Sequence, residues 1–274
     1  MVNAYADVTT FKSQEYANIT VNTEQERFRE LLEQASRHMD KQTHRRFYCW
    51  EGIKYYDGKY GNLLIDDVLS ISLLRLDEDA DDTYEATMAA TDYLLYPANK
   101  LPYDRLELSN DSDYGGFAAG VRRGVEITGV HGYGDGESAT PFYTTGQVVR
   151  DNPLTAGATT ITTIATTTLG AGMTLRIESE QVYITSITNA TTFVVMRGVN
   201  GTTAAVHIQD TPMSLYKAPS PIIQATLILA MRAWKRKDSA FQDAVGSPDT
   251  GLIVVYKDED PYVKGVIHDY FRFL

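Results

Sequence analysis

Residues 174–196 read TLRIESEQVYITSITNATTFVVM and contain three short runs of apolar and β-branched residues separated by polar turns. The runs are Thr174–Ile177, Gln181–Ile187 and Thr192–Met196. Threonine, valine and isoleucine carry a branched β-carbon, which packs well on a pleated sheet and is stiff in a helix. The stretch therefore predicts three neighbouring β-strands, and Thr160–Ile164 predicts a fourth.

The amino-acid composition changes on both sides of these strands. Between Asp151 and Pro212 the chain holds sixteen threonines and only six charged residues. Glycine-containing turns at residues 169–172 and 200–201 break this region into short strands at close spacing, as in small barrels and sandwiches. We predict that residues 146–216 form an inserted all-β domain, a small barrel or sandwich. Residues 1–145 and 217–274 would then form a discontinuous core domain.

Helical periodicity appears in both parts of this core domain. The first helix is predicted from about Glu24 to Gln42, where Thr23 and Glu26 have the spacing of a capping box. A second helix is predicted from Pro219 to Arg236, and Asp260 is predicted to cap a third helix that begins at the following proline. The apolar stripe of the first helix consists of Phe28, Leu31, Leu32, Ala35 and Met39.

Residues 46–134 have strand-like character instead. Short alternating or β-rich segments are separated by turn signals such as Asp57-Gly58, which predicts an antiparallel sheet. The predicted strands are Ile53–Tyr56, Leu63–Leu76, Tyr84–Thr91, Tyr93–Tyr96, Arg105–Leu108 and Arg122–Val130, with one more at Leu252–Tyr256. The predicted fold class is α+β, with amphipathic helices packed against an antiparallel β-sheet region, plus the inserted all-β domain.

Charge and cysteine content exclude several classes of protein. The formal net charge is −11, which disfavours a sequence-specific nucleic-acid reader. Cys49 is the only cysteine, so the chain has no disulfide framework and no cysteine-based zinc site. Residues 1–20 are polar and lack the pattern of a signal peptide, and no window is apolar enough for a membrane span. We expect residues 1–20 and the loop Asp238–Gly251 to become ordered on assembly.

No motif predicts an enzyme, a cofactor or a metal site. The alternating carboxylates Asp77, Asp79 and Asp81 suggest a calcium loop, but Asp82 and Met88 occupy the positions that need glycine and glutamate. A solvated turn is the simpler interpretation. Histidines are scattered without the spacing of metal ligands or of a catalytic group. They are His38, His44, His131, His207 and His268.

Three stretches outside the threonine-rich region carry a resemblance to a known family. They are HRRF (44–47), DYLLYPANKLPYDRLEL (92–108) and VEITGVHGYG (125–134), followed by a helix that starts after a proline. In this order they resemble the head-to-tail connector (adaptor) proteins of tailed bacteriophages, the group of the HK97-type and SPP1-type adaptors. Within the threonine-rich region, RGVNGTTAAVH (197–207) looks like a turn-rich β module that recurs in phage virion proteins.

The resemblance implies a structural virion protein and no enzymatic activity. Members of that family form a ring, typically of twelve copies, which docks on the portal protein and offers its other face to a stopper or tail terminator protein. Genomic DNA passes through the lumen during ejection without specific binding. The location implied is the neck of the virion, after assembly in the host cytoplasm, with no membrane contact and no cofactor.

Terminal segments commonly make the portal contacts in this family, so the resemblance points to residues 260–274. The residues nominated for a portal or subunit interface are Tyr262, Val266, Tyr270, Phe271, Phe273 and Leu274. An alternative is a tail-tip or baseplate component whose β module binds carbohydrate or a receptor. That function predicts exposed aromatic residues on the module, where Tyr183 and Phe193 are the only aromatic residues between Asp151 and Pro212. A virion-associated hydrolase is a further alternative, and it predicts acidic and basic side chains that converge in a cleft.

Overall fold

A computed structural model of the chain describes residues 3–13, 15–19, 24–236, 244–247, 252–255 and 260–273. Within these residues the chain forms two six-stranded antiparallel sheets, a two-stranded hairpin and four helices. The predicted α+β class is confirmed. None of the helices in the described residues is long and apolar enough to cross a membrane.

The first sheet is built from residues 50–131. Its strands are β1 (Trp50–Tyr56), β2 (Asn62–Leu76), β3 (Ala86–Met88), β4 (Tyr93–Tyr96), β5 (Tyr103–Leu108) and β6 (Val125–His131). Their order is β1-β6-β2-β5-β4, and β3 pairs with β2 beyond the end of β5. All six predicted strands are present, although β3 is shorter than predicted. Residues 84–85 belong to the acidic stretch before it, and residues 89–91 belong to the turn that follows it.

The long strand β2 supplies much of the first core. Leu63 and Ile65 at one end, and Leu74 and Leu76 at the other, are buried there with residues of the neighbouring strands. Register shifts between these two ends change which alternate residues face the core. A glycine is needed on the adjacent strand β6. A β-carbon at Gly129 would lie 2.2 Å from the carbonyl oxygen of Ser70 on β2.

The second sheet is built from residues 142–216. Its strands are β7 (Phe142–Val148), β8 (Thr160–Thr162), β9 (Thr174–Ile177), β10 (Glu180–Ile187), β11 (Thr192–Met196) and β12 (Pro212–Tyr216), in the order β7-β12-β9-β10-β11-β8. The four predicted strands are confirmed, and β7 and β12 were not predicted. The sheet curves toward closure, since the Arg150 N–H, just past β7, donates to the Thr162 carbonyl on β8 at 2.8 Å.

The helices are α1 (Val8–Lys12), α2 (Gln25–Thr43), α3 (Ser220–Lys235) and α4 (Pro261–Tyr270). The three predicted helices are confirmed. Asp260 caps α4 as expected, because its side chain accepts from the Tyr262 N–H at 2.9 Å. The N-cap of α2 is Glu24, and the predicted cap Thr23 lies outside the described residues.

Two segments that we expected to be ordered only on assembly contain defined structure. Residues 3–11 pack into a core with α2 and α3, where Val8 is buried and Phe11 lies 5.5 Å from Phe28. Asp7 caps the short α1 by accepting from the Thr10 N–H. The predicted loop 238–251 contains β13 (Ala244–Ser247), which pairs with the predicted strand β14 (Leu252–Val255). The other residues of that loop, and Tyr256, lie outside the described residues.

The chain divides into two compact units. One contains residues 1–45, 142–199 and 203–274, and the other contains residues 46–141 with 200–202. In the first unit the helices contact the second sheet directly, since the Tyr183 hydroxyl on β10 donates to Glu33 on α2 at 2.6 Å. These units divide the chain differently from the predicted domains, because the helices group with the threonine-rich strands. Whether residues 146–216 fold independently stays a prediction.

Candidate functional site

The C-terminal helix α4 packs one face inside the chain and leaves the other exposed. Val263 and Val266 are buried, whereas Tyr262 is 42% exposed. The helix is followed by a short extended tail that ends, in the described residues, at Phe273. Phe273 is 89% exposed, the highest value among the large hydrophobic side chains of the described residues.

Backbone and aromatic contacts fix this tail against the end of α2. The Arg45 Nε–H donates to the Tyr270 carbonyl at 2.8 Å, and the Arg272 N–H donates to the Thr43 carbonyl at 2.9 Å. The Phe271 ring lies edge-on to His44 at 5.2 Å and to Phe273 at 5.1 Å. The tail therefore holds an exposed phenylalanine in one position, although an apolar side chain would normally be expected to avoid water.

The six nominated interface residues do not share one environment. Tyr262 and Phe273 are exposed, and Tyr270 and Phe271 are half-buried at the α2 contact. Val266 is buried within its own chain, so it supports the helix in this structure and offers no outer surface. Leu274 lies outside the described residues. Among the five residues of the set that the structure describes, Phe273 is the most accessible.

A buried ionic network lies in the second sheet, and the sequence analysis did not identify it. The Arg197 guanidinium donates to both carboxylate oxygens of Glu180, each at 2.7 Å, and both side chains are almost fully buried. His207 contacts the same carboxylate through Nε2 at 2.8 Å and Glu178 through Nδ1 at 2.7 Å. The N–H groups of Gly198 and Ala205 also donate to Glu180 at 3.0 Å.

These contacts determine the ionisation of Glu180. Burial by itself raises the pKa of a carboxyl group, but the hydrogen bonds from Arg197, Ala205, His207 and Gly198 lower the pKa of Glu180 to about 2. Arg197 additionally donates to the carbonyls of Thr155 and Ala158. The network therefore ties both ends of the 198–207 segment to one buried carboxylate. Because that carboxylate is enclosed and its oxygens are occupied, the arrangement is structural rather than catalytic.

An acidic cluster occupies the turn between β2 and β3. Carboxylate oxygens of Asp77, Asp79, Asp81 and Glu85 lie within 4.8 Å of one another and could hold a metal ion. Asp77 is buried, and its two oxygens accept from the N–H groups of Ala80 and Asp82. Such contacts are typical of a tight acidic turn, and exposed acidic groups are common without an ion. The prediction that no metal is bound here stays a prediction.

His131 is a second buried ionisable group, on β6 of the first sheet. It is 2% exposed, and its Nδ1 has no hydrogen-bond partner in the described residues. Its Nε2 lies 3.2 Å from the Gly52 carbonyl oxygen. Burial, followed by the nearby positive charge of Lys54, lowers the pKa of His131 to about 4. His131 therefore remains neutral over the physiological pH range and belongs to the core.

Comparisons with families and curated proteins do not indicate a function. No family model matches the chain, and no curated protein matches it. The C-terminal tail, the buried network and the composition of the two sheets are therefore the basis for a functional proposal.

Proposed function

We propose that this chain is a structural virion protein, a head-to-tail connector whose copies form a ring between the portal of a tailed phage and its tail. The proposal includes about twelve copies per ring, a location in the neck of the virion, a tail-side stopper or terminator protein as second partner, and no enzymatic activity. It also includes the finer arrangement of the fold, in which residues 146–216 are a module inserted into the connector core. The three quoted sequence stretches, in their order, suggest this function.

The single observation that carries the proposal in the structure is the anchored tail with its exposed Phe273. An aromatic side chain buries a large area on binding, and it loses little conformational entropy when its backbone is already fixed. Hydrogen bonds from Arg45 and Arg272 fix that backbone. Exposed aromatic anchors of this kind often dominate the binding energy of protein interfaces. The tail thus has the properties required of a segment that inserts into a pocket of the portal.

The charge of the chain also supports a channel component. With a net charge of −11 the protein repels the phosphate backbone of DNA as a whole. A lumen through which DNA slides must not hold the phosphates tightly. Specific recognition of DNA is not required for this function.

The tail-tip or baseplate alternative receives less support. Binding of carbohydrate by the β module would call for exposed aromatic rings there, and Tyr183 and Phe193 are both 0% exposed. Tyr183 is engaged with Glu33, and burial followed by this hydrogen bond raises the pKa of its hydroxyl. Neither ring is accessible for stacking on a sugar.

The role of the tail is tested by a Phe273→Ser variant and a matched control. Tyr60, in the turn between β1 and β2, is 80% exposed, so Tyr60→Ser removes a similarly accessible aromatic ring elsewhere. Both variants should unfold close to the wild-type temperature, since both side chains are at least 80% exposed. We expect Phe273→Ser to bind purified portal rings at least about tenfold more weakly, and Tyr60→Ser to bind them like wild type. Equal binding by all three proteins would remove the tail from the portal contact.

A further inference from the structure

Strand β1 lies at an edge of the first sheet, and part of that edge is open. β1 pairs with β6 without a register shift over its seven residues. The Glu51 N–H points away from β6, because it donates to the Asn200 carbonyl at 2.8 Å. Backbone groups of alternate residues point to the same side, so those of Ile53 and Tyr55 also point outward. They have no hydrogen-bond partner on that side among the described residues, and we call this side of Ile53 and Tyr55 the open edge.

The open edge lacks the features that usually keep an edge strand from pairing with another chain. Such features are a proline, a bulge or an unpaired lysine. β1 has no proline and no bulge against β6, and its one lysine, Lys54, forms an ion pair with Asp66 at 2.7 Å. Ile53 is 44% exposed and lies in a cross-strand row with Thr128 and Leu73, of which Leu73 is 37% exposed. Unpaired backbone groups and exposed apolar side chains therefore occur together here.

The same chain contains a two-stranded sheet without a third strand. β13 and β14 pair only with each other among the described residues. A sheet of two strands is at best marginally stable by itself, and a third strand or a packed helix is needed for independent stability. The sequence of β14 is Leu-Ile-Val-Val, and a continuous apolar run of this length is typical of a strand inside a larger sheet. The hairpin therefore has the properties of a partner for an open strand edge.

We propose that β14 of one copy pairs with the open edge of β1 on a second copy of this chain. The lengths of the two agree. Asn200 occupies the outward position at Glu51, which leaves Ile53 and Tyr55 as the two open positions. Two such positions pair with a strand of about four residues, because outward positions alternate along β1. β14 has four residues, and residues 244–255 carry only one charge, so charge repulsion between the copies is small at this contact.

A second copy is the occupant because the two elements are different surfaces of one chain. β1 and β14 belong to different compact units. Contacts between unlike surfaces of identical copies close into a ring when the rotation between copies permits it, whereas contacts between like surfaces end at a dimer. This inference rests on the proposed ring, since a ring requires each copy to contact two neighbours, and it assigns both sides of that contact.

The test is disulfide crosslinking between two differently substituted full-length chains, mixed in the presence of portal rings. One chain carries Ile53→Cys, and each of four partner chains carries one cysteine in β14, at Leu252, Ile253, Val254 or Val255. The native Cys49 is buried and stays in place, so each chain offers one accessible cysteine and every crosslink joins two copies. The wild-type chain as partner gives the background. Neighbouring residues of a strand point to opposite faces, so adjacent positions are matched controls for one another.

We expect the yield of crosslinked dimer to peak at one position of β14 and to be at least about tenfold lower at the residue next to it. Equal yields at all four positions, or yields no higher than the background, would overturn the pairing. If electron microscopy still shows a ring of density on the portal in that case, the proposed function stands without this contact. A chain that neither crosslinks nor adds density to the portal would contradict the proposed function as well.

An Ile53→Pro variant provides a second measurement. The N–H that proline lacks points away from β6, so the pairing of β1 within its own sheet is kept while the open edge loses a donor. The control Ile53→Thr retains the N–H and a β-branched side chain. Circular dichroism checks that both variants are folded. We expect Ile53→Pro to lose the ring on the portal and Ile53→Thr to keep it, and a ring formed by folded Ile53→Pro would overturn the pairing.

Discussion

Replacement of Glu180 by glutamine tests the buried network most sharply. The carboxylate of Glu180 accepts five hydrogen bonds, two from Arg197 and one each from Gly198, Ala205 and His207. Glutamine keeps the size of the side chain but removes its charge, and one of its two terminal atoms is a donor that faces other donors. Arg197 is then left buried without its counter-charge. Breaking one partner of a buried ion pair in this way costs about 3–5 kcal/mol of the free energy of unfolding.

The chain offers a close control at position 178. Glu178 is 60% exposed and contacts the same histidine through a single hydrogen bond of 2.7 Å. Because water surrounds this carboxylate, Glu178→Gln should cost less than about 1 kcal/mol. Urea unfolding at pH 7, followed by circular dichroism, compares both variants with the wild type. If Glu180→Gln lowered the free energy of unfolding as little as Glu178→Gln does, the buried network would not have the stabilising role given to it here.

The same network predicts how the stability of the chain changes at acidic pH. The pKa of Glu180 is lowered from 4.5 to about 2 in the folded chain, so the unfolded chain binds a proton more readily in this range. The stabilisation is fully present above pH 4.5 and is lost as the pH falls toward 2, by about 3 kcal/mol. Glu180→Gln should therefore lack this part of the acid dependence. If the free energy of unfolding of Glu180→Gln fell with pH as steeply as that of the wild type between these pH values, the argument would be contradicted.

Three further changes test the stability of other parts of the chain. The pKa of His131 is lowered from 6.5 to about 4, so the wild type should lose up to about 3 kcal/mol of its free energy of unfolding as the pH falls through that range. In urea titrations at several pH values, His131→Phe should show a weaker dependence on pH. Equal slopes would exclude His131 as the cause. Gly129→Ala places a β-carbon 2.2 Å from the Ser70 carbonyl oxygen and should cost about 1–3 kcal/mol of the free energy of unfolding, measured by thermal unfolding. The control Gly115→Ala has open space around it and should cost less than about 0.5 kcal/mol. Asp260→Ala removes the cap of α4 and should cost about 1 kcal/mol, and an unchanged melting temperature would show that the cap contributes nothing.

Local patterns in the sequence predicted most elements of the fold. The apolar stripe of α2 and the capping residue Asp260 of α4 are signals contained within a few residues, so they could be identified without tertiary information. The threonine-rich strands β9 and β11 were predicted at their observed bounds for the same reason. Strand β7 was missed because none of its residues is fully buried and Gly146 interrupts its pattern.

Contacts between distant residues were not predictable in this way. Residues 1–20 looked polar as a whole, and the burial of the apolar residues within 3–11 depends on packing against α2 and α3, which no local pattern encodes. The Glu180, Arg197 and His207 network depends on strand register and on the path of the 198–207 segment. One signal was available, since Arg197 is the only Lys or Arg between residues 177 and 216. An isolated cation in a neutral, strand-rich stretch suggests a buried partner, and the first acids on either side of it in sequence are Glu180 and Asp210.

The C-terminal interface remains the least determined part of the sequence-based prediction. The resemblance indicated residues 260–274 as a unit and did not distinguish the buried residues within it from the exposed ones. The structure places Val266 inside the chain and Phe273 outside it. Only the hydrogen bonds of the tail to Thr43 and Arg45 distinguish an anchored aromatic residue from a frayed terminus.

The central claim is that copies of this chain form a ring on the portal, and electron microscopy tests it most directly. The purified full-length chain would be imaged in negative stain alone, together with portal rings of the virus that encodes it, and beside the portal rings alone. The connector function predicts rings of uniform diameter, or an added layer of density on one face of the portal. Portal particles identical with and without the chain, together with a chain that shows no rings by itself, would contradict the proposed function.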